Sequence, residues 1–277
     1  MQAEITVALV AAGVAFGTTI VTQVGQTMLA KKQHSRDDRQ ASIKEERELE
    51  RVLKTYRDPL LSAADSFQSR LYNMVGKSLF SSAGRENDIQ PSGRSYAVES
   101  TLYIVAEYLG WREILRREIQ YIDAGNSEVT RRINTMLEHI TKTLAQNPPL
   151  FGSEFQLYRV EQRAIGELVI EPNHAGGRSR CIGPAVFCER LEDNEFQRWL
   201  GRLQESVIGF EQSIDYETEQ RLRLLQNWLV ELMNELDPHG LYFPGKRAPL
   251  AMDDAYMRFS PCATAAVITT PPAPGRF

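Results

Sequence analysis

Cysteine is scarce: Cys181, Cys188 and Cys262 are the only three in 277 residues. They are too few and too irregularly spaced for a disulfide framework or a four-ligand zinc site, and none forms a C-x-x-C pair. They read as reduced thiols. A strong charge of either sign is lacking as well, since 32 basic residues stand against 36 acidic ones for a formal net charge of −4. That balance excludes a general nucleic-acid binder, whose footprint would be strongly basic, and no nucleic-acid partner is expected. Neither G-x-x-x-x-G-K-[ST] nor G-x-G-x-x-G occurs, so nothing in the chain reads as a phosphate-cradling loop. H-E-x-x-H and G-x-S-x-G are also missing, and His34, His139, His174 and His239 lie far apart. No metal and no cofactor is expected. There is no internal repeat and no parallel-sheet alternation.

What is present begins with an apolar segment. Residues 5–30 contain no Asp, Glu, Lys or Arg, and as a helix they would extend about 39 Å, against about 30 Å of bilayer hydrocarbon. The leader Met-Gln-Ala-Glu has no basic region, and Met28-Leu29-Ala30 is not a small-x-small cleavage site, so a retained transmembrane helix is expected rather than a cleaved signal. Lys31, Lys32, Arg36 and Arg39 follow the segment, whereas Glu4 is the only charged side chain before it. The positive-inside rule then puts the N-terminus outside and the remainder in the cytoplasm, with the lipid bilayer as the partner of residues 5–30. Gly13 and Gly17 form a small-xxx-small motif, and Thr18, Thr22 and Gln26 recur every fourth residue. This pattern permits close helix packing and makes homodimerisation through the Gly13/Gly17 face a hypothesis.

Residues 31–56 alternate in charge and read as an exposed helical stalk, with Ser42 and Glu45 spaced as a capping box. Beyond it, apolar residues recur at three and four, and about six helices are expected over 57–245. Asp58-Pro59 reads as a helix start. A second helix is expected from Tyr96 to Ile122, with Gly110 as a kink, and a third from Ser127 with Ile133, Leu137, Ile140 and Leu144 inward. A fourth is expected over Glu154–Ile170. Residues 180–190 fit either a strand of one small hairpin or a buried helical turn. A fifth helix starts at Asp193 or Asn194, and a sixth carries Leu222, Leu225, Leu229, Leu232 and Leu236 up to Asp237-Pro238. From 246 to 277 periodicity vanishes and the proline-rich end reads as a disordered tail. The fold class is therefore all-α: an N-terminal transmembrane helix, a helical stalk and a cytoplasmic helical bundle.

Two clusters carry candidate chemistry. Arg132 and His139 lie seven apart on the third helix, nearly on one face. Their R-x6-H spacing resembles that of helical ribonuclease domains of the HEPN type, although Ile133 stands where such domains usually have a polar residue. That resemblance implies Arg132 and His139 as catalytic candidates. The second cluster is Arg159, Glu161, Arg163 and Glu167, in which spacing of four allows an Arg163–Glu167 pair worth a few tenths of a kcal/mol. If buried, these charges need partners from other helices, such as Arg57, Asp58, Glu107, Glu113 or Arg116. The cluster is then either a structural polar network or a binding site for a small ligand or a partner.

The blocks Tyr56-Arg57-Asp58-Pro59-Leu60-Leu61, Gln68-Ser69-Arg70-Leu71-Tyr72-Asn73, Ser100-Thr101-Leu102-Tyr103, Trp111-Arg112-Glu113-Ile114-Leu115-Arg116-Arg117-Glu118 and Glu161-Gln162-Arg163-Ala164-Ile165-Gly166-Glu167 resemble those of an uncharacterised family of membrane-anchored helical proteins. The resemblance spans about 56–240. It implies one helical cytoplasmic domain behind an N-terminal anchor and supplies no catalytic residue. An interaction or scaffold module with an unknown protein partner is the expected function. The alternatives are a membrane-tethered helical nuclease or hydrolase, or a ligand sensor.

Overall fold

The computed structural model describes residues 39–40, 43, 55–76, 96–119, 128–147, 151–171, 178–212, 215–243 and 247–261. The chain divides into two compact units, Met1–Leu53 and Lys54–Phe277. In the first, Arg39, Gln40 and Ile43 are helical and exposed. The expected transmembrane segment 5–30, with Gly13 and Gly17, lies outside the described residues, as does most of the stalk. Among the described residues no helix is long and apolar enough to cross a membrane.

The second unit is all-helical, with no strand among its described residues. Helix α1 covers residues 55–75 and is followed by α2 (Tyr96–Ile119), α3 (Glu128–Ala145), α4 (Arg159–Leu168), α5 (Pro184–Arg190), α6 (Asn194–Gln212), α7 (Tyr216–Leu236) and the single turn α8 (Asp254–Met257). Helix α3 packs along α7 and α2 along α4, while α6 touches both α2 and α4. The apolar faces read from the sequence are the faces that meet. Ile133, Leu137, Ile140 and Leu144 of α3 are buried with Leu222, Leu225, Leu229, Leu232 and Leu236 of α7. Each such side chain contributes about 1.5–3 kcal/mol when fully buried, several times what an exposed ion pair does. Apolar burial, not surface charge, holds these helices together.

The structure corrects several boundaries. Asp58-Pro59 lies inside α1 rather than opening it, since residues 55–57 are already helical, and the Asp58 carboxylate is engaged by side chains instead of capping amides: Arg57 Nε donates to it at 3.0 Å and Tyr242 Oη at 3.1 Å. Helix α2 runs unbroken through Gly110. The fourth helix starts at Arg159, not Glu154, since the chain before it turns through Gly152 (φ 60°) and Phe155 (φ 54°). Over 180–190 the hairpin reduces to one antiparallel bridge, Ile170 to Cys181, and the helical alternative holds for α5, where Gly183-Pro184 places proline in the first turn.

Residues 247–261, expected as part of a disordered tail, are held in place. They are fastened by side chains of α7: Gln226 Nε2 donates to Ala248 O at 3.2 Å, Asn227 Nδ2 to Leu250 O at 3.0 Å and Arg223 Nη1 to Ala251 O at 2.9 Å. Residues 262–277 lie outside the described ones.

The deepest polar feature is one the sequence did not announce. Arg221 of α7 is fully buried and has no carboxylate in contact among the described residues. Its guanidinium donates to Phe151 O at 3.0 Å, Thr143 O at 2.6 Å, Leu144 O at 3.2 Å, Gln146 O at 2.7 Å and Gly152 O at 2.9 Å. Three of these carbonyls close the C-terminal end of α3, where orphan acceptors and the negative end of the helix dipole favour a cation. Burial lowers the Arg221 pKa to about 10, partly offset by Asp215, which leaves the charge in place at neutral pH.

Candidate functional site

The Arg159–Glu167 cluster is taken apart by the fold. Its expected internal pair, Arg163 with Glu167, does not form. Glu167 instead accepts from Arg117 of α2 at 2.6 Å, Glu161 from Arg202 of α6 at 3.0 Å, and Glu138 of α3 binds Arg159 at 2.5 Å. Arg163 is exposed and has no ion-pair partner among the described residues. Arg116 donates to Glu113 at 2.7 and 2.8 Å, and Arg117 shares the same carboxylate at 2.8 Å. Desolvation would raise the Glu113 pKa, but the two arginines outweigh it and hold the carboxyl below its ordinary value. Each helix around α4 is thus tied to it by at least one charged contact.

Arg57 and Asp58 belong elsewhere. Arg57 Nη2 donates to Tyr242 Oη at 3.2 Å, its guanidinium carbon lies 5.3 Å from the centre of the Tyr242 ring, and Asp237 accepts the backbone amides of Leu241, Tyr242 and Phe243. These contacts join the first described turn of α1 to the C-terminal end of α7.

Arg132 and His139 are engaged separately. Arg132 binds Glu235 of α7 at 2.9 Å. The His139 ring stacks on Trp228 of α7, with centroids 4.1 Å apart and planes 6° from parallel. One face of the imidazole is therefore covered by indole, and the ring lines an open groove of about 500 Å³ that Arg132 does not line. Lys142, Arg159, Trp228, Arg258 and Phe259 share this groove. The volume falls within the range of small-molecule sites.

The groove has an aromatic floor and a cationic rim. Trp228 is buried and His139 and Phe259 half-buried, whereas Lys142, Arg159 and Arg258 are exposed. Glu138 is the only carboxylate paired with any of the rim cations among the described residues: it binds Arg159 closely and Lys142 at 3.8 Å. The Arg258 guanidinium lies 4.7 Å from the centre of the Phe259 ring and has no carboxylate partner among the described residues. The wall is rigid, because Thr143 and Gln146, which also line the groove, give their carbonyls to Arg221.

Of the groove's residues, sequence reading had singled out Arg159 and His139. Lys142 was legible in principle, standing three residues after His139 on the same face of α3. Trp228 was hidden in the leucine-rich face of α7, and Arg258-Phe259 in a segment read as tail.

A second polar group sits between α2 and the Ile170 to Cys181 bridge. Tyr103 Oη donates to Glu107 at 3.0 Å, and the Cys181 thiol lies 3.9 Å from Glu107 O. Burial raises the Cys181 pKa to about 12, with Glu107 and Glu171 adding to the shift, so the thiol stays protonated and unreactive. No group of three His, Cys, Asp or Glu side chains able to hold a metal occurs among the described residues.

Burial against Trp228 lowers the His139 pKa below its ordinary 6.5, helped by Lys142 and opposed by Glu138. The unfolded chain then takes up this proton before the folded one. The contribution to stability is whole above about 6.5 and is lost as pH falls through the folded-state value. Replacing His139 with phenylalanine keeps a ring on Trp228 and removes the titration. The expected result is that wild type loses more stability than His139→Phe between pH 8 and pH 5. Parallel urea-denaturation curves giving the same loss for both would show that the ring does not titrate in this window.

Comparison with known proteins adds no relative: no family model matches the chain, and neither a curated protein nor a solved structure matches it.

Proposed function

We propose that this is a single-pass membrane protein, anchored through residues 5–30 with its N-terminus outside, whose helical domain works at the cytoplasmic face as an interaction module recognising an anionic partner. The observation supporting recognition is the groove: Lys142, Arg159 and Arg258 converge beside His139 and Trp228 on a chain whose formal net charge is −4. A local field opposite in sign to the whole molecule concentrates anions at that one place. The charge-free run of residues 5–30 and the basic residues behind it support the anchor and its orientation. The likeness of the sequence blocks to anchored helical proteins supports the same reading.

A sensor reading is favoured by one further observation. Helix α7 carries Trp228 in the groove, and Tyr242, just beyond its C-terminal end, binds Arg57 and Asp58 in the first described turn of α1. An occupant of the groove would therefore bear on the helix that follows the stalk.

The test is protease protection of the full-length chain in membranes, paired with affinity purification of wild type and Arg258→Glu from detergent extracts. The expected outcome is an integral protein with a protected domain and a partner that wild type retains and Arg258→Glu loses. A chain released by carbonate would remove the anchor. A partner held equally by both proteins would remove the groove from recognition.

A further inference from the structure

We infer that the groove between α3, α7 and the 258–259 segment is a site for a phosphorylated planar ring compound, of which a purine mononucleotide is the simplest example. This deepens the anionic-partner reading above and rests on it.

Two features of the groove point to two parts of one ligand. The rim offers an ammonium and two guanidinium groups, the donors that bind phosphate oxygens best, and Arg258 has no carboxylate partner among the described residues. The floor is built of aromatic rings. His139 has one face against Trp228, and Phe259 rests against Phe151 at 5.6 Å. Planar faces of this kind stack heteroaromatic rings, and stacking on them is tolerant of ring identity. An inorganic anion would use the rim alone, and an uncharged ring the floor alone. A volume of about 500 Å³ suits a ligand that uses both.

The rim is also only partly neutralised. Glu138 serves Arg159 at 2.5 Å and reaches Lys142 only at 3.8 Å. Lys142 and Arg258 can thus turn to a phosphate without giving up a close carboxylate pair, Arg258 leaving only the Phe259 ring, 4.7 Å away. The clamp of Arg221 on the Thr143 and Gln146 carbonyls keeps the wall in place before a ligand arrives, which lowers the ordering cost of binding.

The experiment is isothermal titration of the full-length chain in detergent with adenosine monophosphate, guanosine monophosphate, adenosine, inorganic phosphate and inositol trisphosphate. Both nucleotides should bind at least about tenfold more tightly than adenosine or phosphate, and Lys142→Glu and Arg258→Glu should each weaken them by about tenfold or more. Both substituted side chains are exposed, so the variants retain the fold, which circular dichroism checks. Phe259→Ala should weaken nucleotide more than inorganic phosphate. Equal binding of inositol trisphosphate and nucleotide would overturn the inference in favour of a site for phosphate esters without a ring, such as lipid headgroups. Absence of nucleotide binding, or binding indifferent to the rim variants, would overturn it outright. If nucleotides fail while a protein partner is still lost by Arg258→Glu, the ligand class falls and the interaction reading stands. If neither depends on Arg258, both fall together.

Discussion

Replacing Arg221 with alanine lowers the unfolding free energy of the helical domain by about 3–5 kcal/mol, the range expected when one side of a buried charged network is deleted. The reason lies in the acceptors. In a buried ion pair both partners are side chains, and exchanging them together for apolar residues is often neutral. Here all five acceptors are backbone carbonyls of Thr143, Leu144, Gln146, Phe151 and Gly152, which no substitution at 221 removes. Methionine, which restores much of the volume beside Phe151, should therefore recover only part of the loss. Lysine keeps the charge but has three donors and no planar fork, and should fall between methionine and wild type. A difference of this size corresponds to a drop of roughly 6–20 °C in Tm for a domain of this length. The order wild type, Lys, Met, Ala in urea midpoints is the expected result. A methionine variant as stable as wild type would show that the clamp orders the 143–152 connection without stabilising it.

The same arginine explains much of what could and could not be read from the sequence. Helices α3 and α6 were legible because each turns an apolar stripe inward, a local property of the chain, and α7 because its leucines recur at three and four even though the helix is buried on most sides. The start of α4 was not, because the connection before it is fixed at Phe151 and Gly152 by Arg221, some seventy positions away, and turns through Gly152 at φ 60°. Segment 247–261 was misread for a related reason. It is fastened through its backbone to Gln226, Asn227 and Arg223, so it needs no periodicity of its own.

In the candidate site, spacing of four suggested Arg163 with Glu167, whereas the fold matched Glu167 with Arg117 and Glu138 with Arg159. Exposed pairs along one helix contribute only a few tenths of a kcal/mol. Contacts to a neighbouring helix win easily once packing has brought that helix within reach. Packing of α3 on α7 likewise stacks His139 on Trp228, a pairing without any local sequence signature.

Gly166→Ala is expected to destabilise the domain by about 2–3 kcal/mol, the cost of overpacking at a site where the obstacle cannot move. Helices α2 and α4 cross with a glycine from each at the contact. A Cβ on Gly166 would stand 2.6 Å from Leu109 O and 3.1 Å from the Leu109 carbonyl carbon and Glu113 Cβ. The nearest of these is backbone, so α4 itself must lift from α2. At Gly110, a Cβ would meet Val169 Cγ2 at 2.6 Å and Cys181 Sγ at 2.7 Å, which are side-chain atoms that can give a little. Gly110→Ala should therefore cost less, about 1–2 kcal/mol.

Both losses are net of the gain of up to about 1 kcal/mol that alanine brings to a helix interior. That gain can be measured alone at Gly201 of α6, where an added Cβ meets nothing within 4 Å and Gly201→Ala should stabilise. The expected ranking is Gly201→Ala above wild type, then Gly110→Ala, then Gly166→Ala. Because α4 begins at Arg159, which lines the groove, lifting α4 should also weaken anion binding in Gly166→Ala more than in Gly110→Ala. Gly166→Ala as stable as Gly201→Ala would mean that α2 and α4 do not pack as closely as described. A Gly166→Ala protein that is destabilised yet binds anions as wild type does would separate the crossing from the groove, and leave Arg159 positioned by Glu138 alone.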